Sequence, residues 1–140
     1  MALVFLGPRN VPGWPSPSFP FGSVGSLLGA ALVFLGSALF LPALFHLGRH
    51  LTPLPYPRAG VTLVQTGPFA IVRHPIYSGG LAIAFGWALL NQGWLTLAGS
   101  IALFLLLDAK SRREERWLAE RLPDYAAYQK RVQRLISFVY

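Results

Sequence analysis

The chain alternates long apolar runs with short basic segments, and the lengths of those runs predict its elements. Val24–Leu47 holds no Asp, Glu, Lys or Arg, and because about 20 apolar residues of helix cross a bilayer, it predicts one transmembrane helix. Gly25, Gly29, Gly36 and Ser37 lie within it. They either form a face on which another helix packs closely or belong to a helix standing plainly in lipid. A second uncharged run covers Ser78–Leu107, thirty residues. As a single helix it would rise about 45 Å against a hydrocarbon core of about 30 Å. Asn91-Gln92-Gly93 in its middle is turn chemistry, and Pro75 suits a first helical position. The run therefore predicts an antiparallel helical hairpin over 75–107, whose second arm continues from Trp94 to about Leu122, beyond the apolar stretch.

Between and around these runs the chain is irregular or charged. Pro8, Pro12, Pro15, Pro17 and Pro20, with Trp14, Phe19 and Phe21, predict a non-helical segment at the membrane interface. The connection from Leu47 to Tyr77 holds Pro53, Pro55, Pro57, Pro68 and Pro75, with Arg49, Arg58 and Arg73 and no acid. The expected organisation is a Pro-rich interfacial segment over 1–23 and a single domain over 24–140. That domain comprises a transmembrane helix (24–47), a cytoplasmic loop (48–74), the hairpin (75–107) and a cytoplasmic helical tail (108–140). The fold class is an all-α integral membrane protein: one N-terminal transmembrane helix plus a helical hairpin, with a cytoplasmic C-terminal helical extension.

Composition agrees, since 54% hydrophobic and 12% charged residues exclude an ordinary soluble domain. Twelve Lys and Arg against five Asp and Glu raise the question of nucleic acid, but the basic residues flank the apolar runs on both sides of the hairpin. That arrangement follows the positive-inside rule. It predicts both flanks in the cytoplasm, a cell inner or plasma membrane, and no nucleic-acid partner. The absence of cysteine removes disulfides, thiolate metal sites and thiol nucleophiles. Met1–Leu6 followed by Gly7-Pro8-Arg9 lacks the basic start of a signal peptide and reads as mature sequence. No metal is expected, and the oligomeric state is open.

Two motifs can carry chemistry. In Arg73-His74-Pro75-Ile76-Tyr77, Pro75 holds His74 extended, so His74 and Tyr77 flank the mouth of a helix whose free N–H groups suit a carboxylate. Taken alone, the motif reads equally as an interfacial anchor. Glu114-Glu115 falls on the extension of the second arm. It reads as a carboxylate for a hydroxyl or cationic ligand beside one that holds a basic neighbour. It reads also as plain salt bridging, with Lys110 and Glu114 at i,i+4 spacing, or as a capping box over Ser111-Arg112-Arg113-Glu114. Trp117, Leu118, Leu122, Tyr125 and Tyr128 make the apolar side of a basic tail, expected to lie in the membrane interface. An even number of crossings in the hairpin would bring the two motifs to one face.

Taken together, Leu63-Val64-Gln65-Thr66-Gly67-Pro68-Phe69, Arg73-His74-Pro75-Ile76-Tyr77-Ser78-Gly79-Gly80, Glu114-Glu115-Arg116-Trp117-Leu118 and Tyr125-Ala126-Ala127-Tyr128 resemble the isoprenylcysteine carboxyl methyltransferase and phospholipid methyltransferase group of integral membrane enzymes. The resemblance covers roughly Gly60 to Tyr140. It implies S-adenosyl-L-methionine-dependent methyl transfer to a lipophilic acceptor, isoprenylcysteine-carboxylate-like or phospholipid-amine-like, that enters from the bilayer. The cofactor residues it implies are Val61, Thr62, Leu63, Val64, Phe69, His74, Pro75, Ile76, Tyr77, Glu114 and Glu115. His74, Tyr77 and Lys110 are the implied catalytic residues. Phe69 stands where the family commonly has tyrosine, and Leu122-Pro123-Asp124 is one residue shorter than the frequent version. A full first helix is also missing from the N-terminus. Two other functions share the architecture: a non-catalytic membrane or assembly protein, and a membrane reductase, for which no G-x-G-x-x-G turn is present.

Overall fold

The computed structural model describes residues 22–47 and 63–135, and over them the chain is all-α. Its helices are α1 (Gly22–Leu47), α2 (Pro75–Asn91), α3 (Trp94–Arg121) and α4 (Tyr125–Arg131), with a short 3-10 turn at Gly67–Ala70 ahead of α2. Helices α1 and α3 are long and apolar enough to cross a membrane. The Pro-rich segment up to Phe21 and the connection 48–62, including Val61 and Thr62, lie outside the described residues. The described helices group into an apolar unit, residues 22–38 with 79–105, and a polar unit, residues 39–47 and 63–78 with 106–135.

In the apolar unit, α1 and α2 meet through their small residues. Gly25, Gly29 and Gly36 are buried along α1, while Leu27 and Phe34 are 72% and 74% exposed. A Cβ placed on Gly29 would stand 2.7 Å from the carbonyl oxygen of Gly86, and one on Gly86 would stand 2.6 Å from that of Gly29. Gly36 faces the Gly79 carbonyl in the same way, at 2.8 Å. The glycine stripe is thus a helix-packing face, as expected where lipid supplies no hydrophobic drive between helices and close backbone approach must hold them. The large apolar side chains are left outward.

The hairpin breaks where turn chemistry predicts. Gln92 takes a positive φ of 49°, Asn91 Nδ2 donates to the Trp87 carbonyl at 3.1 Å, and Thr96 Oγ1 donates back to Gly93 O at 2.6 Å, opening α3. Ser100, fully buried, has its hydroxyl 2.8 Å from Thr96 O and 3.0 Å from Ala84 O, so it ties the two arms together.

Helix α3 passes unbroken from its apolar part, Trp94–Leu107, into the charged part from Asp108 to Arg121. This corrects the capping-box reading: Ser111 sits inside the helix, where its hydroxyl donates to Asp108 O at 2.9 Å, and no open helix end is there whose N–H groups it could accept from. Pro123 follows the end of α3, as expected of a residue that cannot continue a helix. After α4 the backbone turns extended at Val132 (φ −124°, ψ 134°), and Gln133 forms a parallel bridge with Val72. The tail is therefore not simply helical. Tyr125 and Tyr128, expected on a membrane-facing side, are only 1% and 3% exposed. They pack edge to face inside the polar unit, with ring centroids 5.9 Å apart.

Candidate active site

The polar unit is built around the turn that leads into α2. Gly67, at φ +61°, lets the 3-10 turn pass beneath His46, whose Nε2 lies 2.7 Å from where a Cβ would stand. The turn buries Pro68 and Phe69, and the Tyr128 hydroxyl donates to the Phe69 carbonyl. Arg73 N–H then donates to Gln133 O at 2.8 Å and His74 N–H to Arg134 O at 3.1 Å. With His74 held extended before Pro75, its carbonyl is left to accept from the Ser78 N–H at 3.0 Å, and α2 begins.

Side chains from α2 and α3 converge there. The His74 and Tyr77 rings stack in parallel, centroids 5.3 Å apart. The Tyr77 hydroxyl donates to Glu114, 2.8 Å from Oε1 and 3.0 Å from Oε2. Lys110 Nζ lies 5.3 Å over the Tyr77 ring and 3.9 Å from Glu114 Oε1. His74 stands between the two acids, with Nδ1 3.7 Å from Glu114 Oε2 and Nε2 3.3 Å from Glu115 Oε1. Nδ1 is beyond hydrogen-bond distance of Glu114, and buried Nε2 has no hydrogen-bond partner among the described residues.

The adjacent glutamates differ. Glu115 is gripped by Arg73, with Nε to Oε1 at 2.7 Å and Nη2 to Oε2 at 3.1 Å. Burial pushes its carboxyl up, but the approach of His74 and the bonds and charge of Arg73 overcome that and bring it down to about 2. Glu114 is more open, its side chain 18% exposed against 10% for Glu115. Burial, countered by the Arg73 charge and reinforced by that of Glu115, pushes the Tyr128 hydroxyl up to about 12. Nearby, Asp108 joins Arg112 at 2.9 Å and Arg134 at 2.7 Å.

His74, Tyr77, Lys110, Glu114 and Glu115 thus come together, with Pro75 and Ile76 in the turn between. Phe69 is buried beneath the turn, while Leu63 and Val64 are half-buried just before it. The residues that sequence reasoning missed are in the tail: the carbonyls of Gln129 and Val132, which accept from Arg73, the Tyr128 hydroxyl, and Arg134. Only the Tyr125-x-x-Tyr128 spacing hinted at them.

Over the described residues the fold is all-α, with two helices long and apolar enough to cross a membrane and a cluster of His, Tyr, Lys and Glu where the start of α2 meets the charged part of α3. A model of the phospholipid methyltransferase family matches residues 24–124, and the chain belongs to that family. It is also 33% identical over 75 residues to the cobalt-zinc-cadmium resistance protein CzcN of Cupriavidus metallidurans. That match covers 53% of this chain and spans about a third of the relative's length, 35%.

Proposed function

We propose that the chain transfers a methyl group from S-adenosyl-L-methionine to a lipophilic acceptor held in the membrane. Family membership supports methyl transfer, and one observation carries the reading of the site: of the two adjacent acids, Glu114 keeps an accessible carboxylate framed by Tyr77, Lys110 and His74. A carboxylate has about four acceptor sites, and the Tyr77 hydroxyl engages only part of that capacity. The set fits a ligand that carries hydroxyls and an ammonium group. The bound donor would supply a methyl group on a sulfonium, open to in-line displacement. The residues' task is then to align and to exclude water.

In this reading Glu114 accepts from the donor's hydroxyl or amino group, and Tyr77 fixes the carboxylate. The opening turn of α2, at Pro75-Ile76-Tyr77, takes the donor's carboxylate, and Leu63, Val64 and Phe69 supply apolar contact. Lys110 faces the acceptor. For an amine acceptor, His74 stands ready to take the departing proton, whereas a carboxylate acceptor needs no base. The basic residues flanking the hairpin support a cytoplasmic setting for this face, in a cell inner or plasma membrane. Among the described residues no group of three or more His, Asp and Glu side chains is arranged to hold a metal ion.

The test is incubation of the purified protein in lipid with methyl-labelled S-adenosyl-L-methionine, followed by extraction and identification of whatever carries label. A labelled lipid-soluble product is expected. Calorimetry should show Glu114→Ala binding the donor about ten- to a hundredfold more weakly, the loss of one hydrogen bond to a charged group. Unchanged affinity in that variant would remove Glu114 from the donor site.

A further inference from the structure

Arg73 directs its guanidinium wholly into the protein. Besides the two bonds to Glu115, its Nη1 donates to the carbonyls of Gln129, at 3.0 Å, and Val132. The side chain is only 11% exposed. Around it the Arg73 and His74 amides bond to Gln133 and Arg134, the Ser78 hydroxyl donates to Leu135 O, and the Tyr128 hydroxyl donates to Phe69 O. Each of these bonds ties the stretch 128–135 to the stretch 69–78, and none uses Glu114. A lysine could not replace the arginine, because the contact needs a planar fork whose donors point in several fixed directions.

The geometry points to a latch: Arg73 and Glu115 are positioning residues that fasten the C-terminal segment Tyr125–Leu135 across the start of α2. Of the acidic pair only Glu114 is then left for a ligand. The tail's backbone supplies the partner of the His74 amide, so an undocked tail would release the turn that sets the His74 ring between the two acids. Docking of the tail and binding of a ligand at Glu114 therefore share His74, and each must favour the other by the same factor. The identity of that ligand rests on the methyl-transfer reading, whereas the latch does not.

The test is limited trypsin digestion of the full chain in lipid nanodiscs, following cleavage after the exposed Lys130 and Arg131 by mass. Breaking one partner of a buried ion pair should open the tail, and cleavage of a rapidly reclosing segment follows its open population. Arg73→Ala and Glu115→Ala are expected to speed cleavage by about a hundredfold and Arg73→Lys by about tenfold, whereas Glu114→Gln should leave it unchanged. Tyr128→Phe, which loses a single hydrogen bond, should give an increase of about fivefold without threatening the fold. S-adenosyl-L-methionine should slow cleavage of the unsubstituted protein. Wild-type rates in both Arg73→Lys and Tyr128→Phe, or equal acceleration by Glu114→Gln and Glu115→Gln, would overturn the latch. Calorimetric binding of the donor with no slowing of cleavage would overturn the positioning role. If the donor does not bind at all, the methyl-transfer reading fails, and the cleavage rates of the variants still decide the latch.

Discussion

Glu114 and Glu115 are neighbours on one helix, but Arg73 grips Glu115 while Tyr77 and Lys110 face Glu114. The grip on Glu115 has a sign that can be checked in acid. Its pKa is lowered from an ordinary 4.5 to about 2 in the fold, so its contribution is fully present above about pH 4.5 and is lost as pH falls toward 2. Thermal unfolding of the solubilised protein from about pH 6 to about pH 3 should show that loss, on the order of 3 kcal/mol at full extent, and Glu115→Gln should flatten it. Tyr77→Phe removes the hydroxyl that orients Glu114, and about tenfold weaker donor binding by calorimetry is expected, with the fold intact. What the sequence disclosed at this scale was local. The Lys110–Glu114 pair, four residues apart on a helix, is present at 3.9 Å. The Arg73–Glu115 pair, separated by 42 positions, has no periodic signature, because any of several arginines could have served. Tyr125 and Tyr128 were misread for a physical reason. An aromatic pair on a basic helix has the same pattern whether it faces headgroups or a protein interior, and only the distant Phe69 carbonyl distinguishes the two.

At the level of elements, the hairpin was legible because its determinants are short-range: a proline that starts α2, an uncharged length too great for one span, and a turn of Asn, Gln and Gly. The packing of α1 was half legible. Its small residues were visible, but their partners, Gly79 and Gly86, lie beyond a long proline-rich connection. That packing predicts a contrast among glycines. Gly86→Ala places a methyl group against backbone on α1, which cannot move aside cheaply, and should cost about 1–3 kcal/mol of stability in thermal or denaturant unfolding. Gly93→Ala comes close only to the end of the Thr96 side chain, at 2.9 Å, with the Asn91 carbonyl at an ordinary 3.9 Å, so it should change stability by less than about 1 kcal/mol. Gln92→Gly relieves a left-handed residue at φ 49° and should be neutral or stabilising by up to about 1 kcal/mol. Equal losses at positions 86 and 93 would mean that α1 and α2 do not meet as described.

For the whole molecule, the absence of cysteine makes topology directly measurable, since any thiol introduced will be unique. A cysteine at Gln92 and one at Glu120, near opposite ends of α3, should react with an impermeant reagent from opposite sides of the membrane. Reaction of both from one side would remove the hairpin crossing and with it the membrane setting of the site. The same helix also makes the protein sensitive to its solvent. From Trp94 to Leu107 the apolar part of α3 is fourteen residues, a rise of about 21 Å, and a typical hydrocarbon core is about 30 Å. No break in α3 separates that part from Asp108, Lys110 and Glu114, so a short arm is expected to thin the bilayer locally or to make these flanking side chains snorkel. Acyl-chain length thereby sets how deep Glu114 sits. In the methyl-transfer reading bilayer thickness would then act on turnover, and reconstitution in lipids of decreasing chain length should raise it until the hydrocarbon layer matches the short arm.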